Sequence, residues 1–268
     1  MEDVNPIPFT FRVIAAIALL VLLVPVAIVV LAGLNSGDYL TFPPQGFSLR
    51  WIRNFFVSPT FLPAFKLSFA LALATMVIST FLGTLASIFL TRSTSKSREF
   101  LRAIFFLPVV LPGVVLGIAL YVFFIWTNVG LARSLTGLII GHVLVTMPFV
   151  IATVTASLVD LDLSVEEAAR SLGATPVQAF MKVTLPLITP GISAGSIFAF
   201  IVSFGQFELT LFLSTPNLQT LPLAIYSSLR YAFEPTAAAA GIFAICLVTV
   251  STLISTRLSN LKKLLSRR

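Results

Sequence analysis

Ser164-Val165-Glu166-Glu167-Ala168-Ala169-Arg170-Ser171-Leu172-Gly173-Ala174-Thr175-Pro176, followed at a short distance by Val183-Thr184-Leu185-Pro186, is a polar stretch between two long apolar runs. Its local chemistry reads as two short helices. Ser164-x-x-Glu167 has the form of a capping box, in which each side chain satisfies an orphan backbone N–H at the other end. Gly173 supplies a left-handed stop. Thr175-Pro176-Val177-Gln178 repeats the start signal, with Thr as cap, Pro at the first helical position and Gln three residues after the cap. Leu185-Pro186 is expected to end the second helix before the next apolar run begins. Ala168 and Ala169 leave a low surface that another protein can approach closely. Capping signals are equally those of an ordinary well-capped loop, so the meaning of the stretch rests on what surrounds it.

Nearly everything around it belongs in lipid. The 268 residues are 57% hydrophobic and 10% charged, with a mean hydropathy of +1.04, whereas soluble domains carry about 25% charged residues. A membrane span needs about 20 mostly apolar residues. Six segments qualify, at approximately 11–34, 62–91, 101–126, 134–158, 188–213 and 236–256. The expected fold class is an all-α membrane protein: six transmembrane helices in one domain over 1–268, with a cytoplasmic segment at about 159–187. The first run has no small-x-small cleavage site before Asn35-Ser36-Gly37-Asp38 and reads as a retained span. Pro25, Gly83, Pro112, Gly117, Pro148, Gly195 and Gly241 fall inside spans and read as kinks or close helix contacts. The single cysteine, Cys246, sits in an apolar run, forms no intrachain disulfide and reads as a small hydrophobe.

The net charge of +7 does not point to nucleic acid, because the cations cluster in short flanks of the apolar runs. Lys and Arg in short loops set orientation. Arg12, Arg92, Lys96, Arg98, Arg102, Arg170, Lys182, Arg257, Lys262, Lys263, Arg267 and Arg268 fall on one side, against Arg50, Arg53, Arg133 and Arg230 on the other, with Lys66 inside span two. Twelve against four places both termini and the Glu-Glu-Ala-Ala stretch in the cytoplasm. Two segments on the opposite side are more than turns. Residues 35–61 carry Phe42, Phe47, Trp51, Phe55 and Phe56, the residue types of a short interfacial element. Residues 214–235 end in an amphipathic stretch from Leu221, expected as a surface or re-entrant helix.

The spacing Glu167-Ala168-Ala169, Gly173, Val183-x-Leu185-Pro186 resembles the signature of the membrane subunits of bacterial ABC importers, with Val183 where that family usually has Ile. Phe47-Ser48-Leu49-Arg50-Trp51, the run Leu107-Pro108 to Leu116-Gly117, Thr220-Leu221-Pro222 and Glu234-Pro235-Thr236-Ala237-Ala238 are similar to its spermidine/putrescine-type branch, and more to the second of its two permeases. The resemblance implies a type I ABC importer permease fold. It also implies two ATPase subunits that bind ATP and Mg, a second and different permease, an external substrate-binding protein and a bacterial inner-membrane location. In that family the polar segment docks into a groove of the ATPase. Carried onto this chain, Glu166, Glu167, Ala168, Ala169, Arg170, Gly173, Leu185 and Pro186 become the coupling residues.

Ionisable residues deep in a span are costly and are functional-site candidates by default. Glu208 is the one acidic residue inside a predicted span, within Ser203-Phe204-Gly205-Gln206-Phe207-Glu208. It either attracts an ammonium group, with Phe204 or Phe207 adding cation–π contact, or reaches the interface or an arginine. Phe204, Gln206, Phe207 and Glu208 are the substrate-path candidates. The polyamine branch commonly has an Asp-Glu pair at the positions of Gly205 and Gln206, so an amino acid, opine or phosphonate cargo stays open beside a polyamine. Arg230 and Tyr231 read as an interfacial anchor. His142 reads as a helix–helix hydrogen bonder rather than a proton relay. No cluster has metal-ligand spacing and no phosphate-binding Gly-Lys-Ser/Thr loop occurs. The chain is therefore expected to be no enzyme and to bind no cofactor. A secondary transporter predicts paired charges at the bilayer midplane, and an intramembrane enzyme a nucleophile–base pair; the sequence offers neither.

Overall fold

The structure is a computed structural model that describes residues 8–232 and 234–265. Arg267 and Arg268, and the side chains of Lys262 and Lys263, used above for orientation, lie outside the described residues. Regular structure among the described residues is helical: α1 (Phe9–Gly33), α2 (Arg50–Val57), α3 (Phe61–Arg92), α4 (Arg98–Val110), α5 (Gly113–Thr127), α6 (Leu135–Val159), α7 (Leu163–Ser171), α8 (Pro176–Ala179), α9 (Leu185–Gly205), α10 (Thr210–Leu213), α11 (Leu221–Tyr231) and α12 (Thr236–Leu265). Among the described residues five helices are long and apolar enough to span a bilayer, or six when the bent pair α4–α5 counts as one. The all-α, multi-span expectation therefore holds. The two segments expected to be more than turns each hold a short helix, α2 and α11.

The spans depart from expectation in two places. The third breaks into α4 and α5, which meet at 108°. Leu111 is extended, with ψ of 137°, because Pro112 disfavours the helical conformation in the residue before it. The fifth starts earlier and stops sooner than 188–213. Leu185-Pro186 does not end a helix; α8, a wide π turn over Phe180–Thr184 and α9 run on as one helix, Pro176–Gly205. The Leu185 N–H reaches back to the Phe180 carbonyl. That five-residue step gives the Pro186 ring room that a regular turn would deny it. At the other end helix is lost at Gln206, whose ψ is 116°.

The chain forms two compact units, Met1–Leu62 with Ala224–Cys246, and Pro63–Leu223 with Leu247–Arg268. In the first, α1 crosses α12 where a Cβ on Gly33 would fall 3.0 Å from the Ala238 and Ala239 backbone. Phe55 stacks on Phe243 at 4.3 Å. Asn35, fully buried, accepts from the Gly37 and Gln45 N–H groups and donates to Tyr39 O and Thr41 Oγ1, which fixes the loop before α2. In the second unit α6 is the central helix. It packs on α9 through glycines: a Cβ on Gly191 would lie 2.7 Å from Thr153 O, and one on Gly195 2.9 Å from Val150 Cα. Small residues that let backbones approach are the usual adhesive between helices in lipid. Val150, Val154, Leu158, Ile188 and Ala199 form the core there.

Candidate functional site

The polar stretch folds as α7, a bend, and the first turn of the long helix. Its start differs from the expected box. Asp162 is the cap, its carboxylate accepting from the Ser164 N–H at 2.9 Å, and that bond holds the Asp162 carboxyl below its ordinary range. Ser164 lies inside the first turn, so its side chain is not the cap. The stop is as expected. Gly173 has φ of +92°; its N–H donates to Arg170 O at 3.0 Å and the Ala174 N–H to Ala169 O at 3.1 Å, the paired bonds of a Schellman ending. The second box is complete, with Gln178 N–H donating to Thr175 Oγ1 at 3.2 Å and Thr175 N–H to Gln178 Oε1 at 3.0 Å.

Glu166 turns inward and bolts α7 to its neighbours. Arg92, the last residue of α3, donates Nη1 to Glu166 Oε1 at 3.1 Å and Nη2 to Oε2 at 2.5 Å. Thr184, fully buried at the end of the π turn, donates to the same Oε2 at 2.6 Å. A two-pronged guanidinium–carboxylate pair is roughly twice as strong as neutral hydrogen bonds. The Glu166 side chain is only 14% exposed, and the Arg92 bonds, then the Thr184 bond, keep its carboxyl below the ordinary carboxylate range.

With Glu166 turned in, the rest of the predicted coupling set is divided. Glu167, Ala168, Arg170 and Gly173 are exposed and Ala169 is half-buried. Leu172 beside them is 90% exposed and Val177 72%. The outer face of α7 thus offers a carboxylate, two small residues, a cation and a bare leucine. A hollow of about 450 Å³, lined by Arg92, Leu163, Glu166, Glu167 and Arg170 among others, opens beside it. Leu185 and Pro186 lie away from that face, within the long helix. The sequence reading missed Arg92 and Thr184 as partners and Asp162 as cap.

The four path candidates lie at the far end of the same helix. Phe204 is 2% exposed, stacked on Phe200 with ring centres 6.1 Å apart and edge-on to Phe65 at 5.8 Å; it is a packing residue. Gln206 and Phe207 are half-buried and Glu208 is exposed. These three sit in the non-helical segment after Gly205, not within a span helix. A Cβ on Gly205 would meet nothing within 4 Å, whereas one on Gly113 would fall 2.2 Å from Glu208 Oε2. The Glu208 carboxylate therefore lies over the first residue of α5, where free N–H groups and the helix dipole favour an anion. Among the described residues no group of His, Cys, Asp and Glu is arranged to hold a metal.

The family profile described as "Binding-protein-dependent transport system inner membrane component" matches residues 79–263. The spermidine/putrescine transport system permease protein PotC of Escherichia coli K12 is 28% identical over 214 residues, 80% of each chain. The putrescine transport system permease protein PotI of the same strain is 30% identical over 216 residues, 79% of this chain and 76% of PotI. The molybdenum transport system permease protein ModB of Haemophilus influenzae is 32% identical over 211 residues, 73% of this chain and 92% of ModB. Among solved structures, a bacterial alginate ABC transporter in complex with alginate pentasaccharide-bound periplasmic protein matches with a TM-score of 0.73 at 20% identity over 93% of both chains.

Proposed function

The chain belongs to the family of binding-protein-dependent transport system inner membrane components, as a non-catalytic permease subunit of an ABC importer, and from that premise we propose how it couples and what it carries. The outer face of α7 is the docking element for an ATPase subunit. The Glu166 clamp makes it a lever, because α7 cannot tilt without moving Arg92 on α3 and Thr184 in the long helix. That helix of 30 residues spans about 45 Å and ends at the non-helical segment holding Gln206, Phe207 and Glu208. Movement imposed at α7 is thus delivered at a second site on the same rigid rod. ATP and Mg act on the ATPase partners, and this chain supplies only the mechanical link.

The same reading has two ATPase subunits, a second and different permease, and an external binding protein around a chain that acts as one permease domain in a bacterial inner membrane. Both termini and α7 face the cytoplasm, supported by the excess of Lys and Arg on that side. The cargo is a polyamine-like or other small amino-bearing solute, supported by likeness to PotC and PotI and by the exposed carboxylate of Glu208. The likeness to ModB and the absence of carboxylates at Gly205 and Gln206 favour a second reading, in which an amino acid, opine or phosphonate is carried.

The observation that carries the coupling reading is the split of the Glu-Glu pair, Glu166 into the clamp and Glu167 into solvent. In proteoliposomes holding the full complex, Glu167→Lys abolishes ATPase stimulation by loaded binding protein while assembly is normal. Normal stimulation in that variant removes the lever assignment. Uptake of labelled putrescine that falls in Glu208→Gln supports the polyamine path. No putrescine uptake from a complex whose ATPase responds to loaded binding protein turns the reading to the second cargo class.

A further inference from the structure

The one histidine of the chain, His142 on α6, is completely buried, and both ring nitrogens are engaged. Nδ1 lies 2.9 Å from Ser203 Oγ and Nε2 lies 3.0 Å from Thr210 Oγ1. Ser203 belongs to the last turn of α9 and Thr210 opens α10. One imidazole therefore reaches both sides of the break that separates them.

The partners are matched to a neutral ring. A neutral imidazole has one N–H and one bare nitrogen, and a hydroxyl can donate or accept, so Ser203 and Thr210 satisfy both nitrogens in either tautomer. Complete burial among neutral partners disfavours a charged ring. Thr210 Oγ1 also lies 3.0 Å from the Gln206 carbonyl, and a hydroxyl there serves a backbone carbonyl that the loss of helix frees, as a low-dielectric setting requires.

Packing stiffens the bridge. A Cβ on Gly141 would lie 2.8 Å from both Leu209 Cδ2 and Leu213 Cδ1, and one on Gly117 3.1 Å from Leu209 Cα. The residues after the break are therefore seated closely against α6 and α5, with Leu209 fully buried. The His142 carbonyl is itself held: Thr146 Oγ1 donates to it at 2.8 Å, and Ser79 Oγ on α3 lies 2.7 Å from Thr146 Oγ1.

We infer that His142 is a positioning residue of the cargo path: as a neutral bridge between Ser203 and Thr210 it fixes the break in the fifth span, and so fixes where Gly205, Gln206 and Glu208 stand. It touches no cargo, since the ring is buried, and acts through the segment it pins. This rests on the reading of that segment as path wall under Proposed function.

The test uses the complete complex in lipid with its binding protein, in a Cys246→Ser background. Nitroxide labels at Phe198→Cys and Leu211→Cys, both exposed positions, report the distance across the break. His142→Leu keeps bulk and loses both hydrogen bonds; His142→Gln keeps one donor and one acceptor. The expected result is a broadened distance distribution in His142→Leu and a narrow one restored in His142→Gln. With it, putrescine carried per ATP hydrolysed falls about tenfold in His142→Leu, the factor that two neutral hydrogen bonds carry, while ATPase stimulation by loaded binding protein persists. The ¹⁵N-histidine difference spectrum between wild type and His142→Gln complexes isolates this ring and shows a neutral form. An unchanged distance distribution in His142→Leu overturns the inference, as does a charged ring. A broadened break in His142→Leu, with uptake untouched by Gln206→Ala and Glu208→Gln, keeps the pin and removes the path reading. A sharp break in His142→Leu, with uptake lost in those two variants, does the reverse.

Discussion

The long helix Pro176–Gly205 is held from outside itself near both ends, and the two holds are chemically unlike. Near its start, Thr184 is gripped by the Glu166 carboxylate, itself forked by Arg92. Near its finish, Ser203 is gripped by the neutral ring of His142, which also takes Thr210. Each grip sits at a departure from regular helix, the π turn in one case and the break after Gly205 in the other. The charged grip is used where side chains are in part exposed, Arg92 by 32% and Glu166 by 14%. The neutral grip is used where burial is complete. A pair of ions taken wholly out of water loses several kcal/mol per ion to desolvation, on the order of what their attraction returns, whereas neutral partners incur far less. The location of each irregularity thus selects the chemistry that can hold it.

The two grips break differently. The largest effect is expected from Glu166→Lys, which sets a cation against Arg92 and leaves Thr184 without its acceptor. Stimulated ATPase should fall more than about tenfold, since charge-assisted bonds carry about 1.5–3 kcal/mol, and a double exchange, Arg92→Glu with Glu166→Lys, should recover part of it. Full activity in the single variant would show that the lever needs no clamp. Smaller effects are expected from deleting one hydroxyl at each grip. Ser203→Ala removes one neutral bond, about 0.5–1.5 kcal/mol, and Thr184→Val one bond to a carboxylate, about 1.5–3 kcal/mol, each read as a drop in the thermal midpoint of the assembled complex. Equal and large losses would mean that the grips are parts of one core.

The smallest effect separates the grips by pH. The Glu166 carboxyl is held below its ordinary range by Arg92 and Thr184, so its contribution is complete above the unfolded value of about 4.3 and is lost as pH falls through the lower folded value. The protection factors of the α7 amides, with the intrinsic pH dependence of exchange divided out, should be flat from about pH 8 to 5 and fall only below about pH 4. A fall in protection near pH 6 would place another group at the hold.

The first grip was half legible in the sequence and the second was not. Gly173 and Thr175-Pro176-Val177-Gln178 announce a bend between helices because capping is local, each residue acting on backbone three or four positions away. Asp162 is equally visible, two residues before Ser164, but two cap-competent residues so close together cannot be ranked without knowing where the chain turns. Arg92 was legible as a charge at the end of a span, not as the partner of a residue 74 positions on. Leu185-Pro186 reads as a stop because proline ends most helices, and a π turn that accommodates it leaves no local mark. The break after Gly205 depends on Gly141, Gly117 and His142, all on other helices, so no pattern near Gln206 could give it. His142 reads from the sequence as a helix-to-helix hydrogen bonder, and it is one; which helices it joins is a tertiary fact.

The most direct test of this account sets the two grips against each other in one complex. Glu166→Lys and His142→Leu are reconstituted in parallel with the ATPase subunits, the second permease and the binding protein, and stimulated ATP hydrolysis and putrescine uptake are measured together. Glu166→Lys should lose most of both, because movement no longer enters the long helix, while His142→Leu should keep stimulation and lose most of its uptake. If both variants lose stimulation alike, or both keep uptake, the long helix does not join a coupling end to a cargo end.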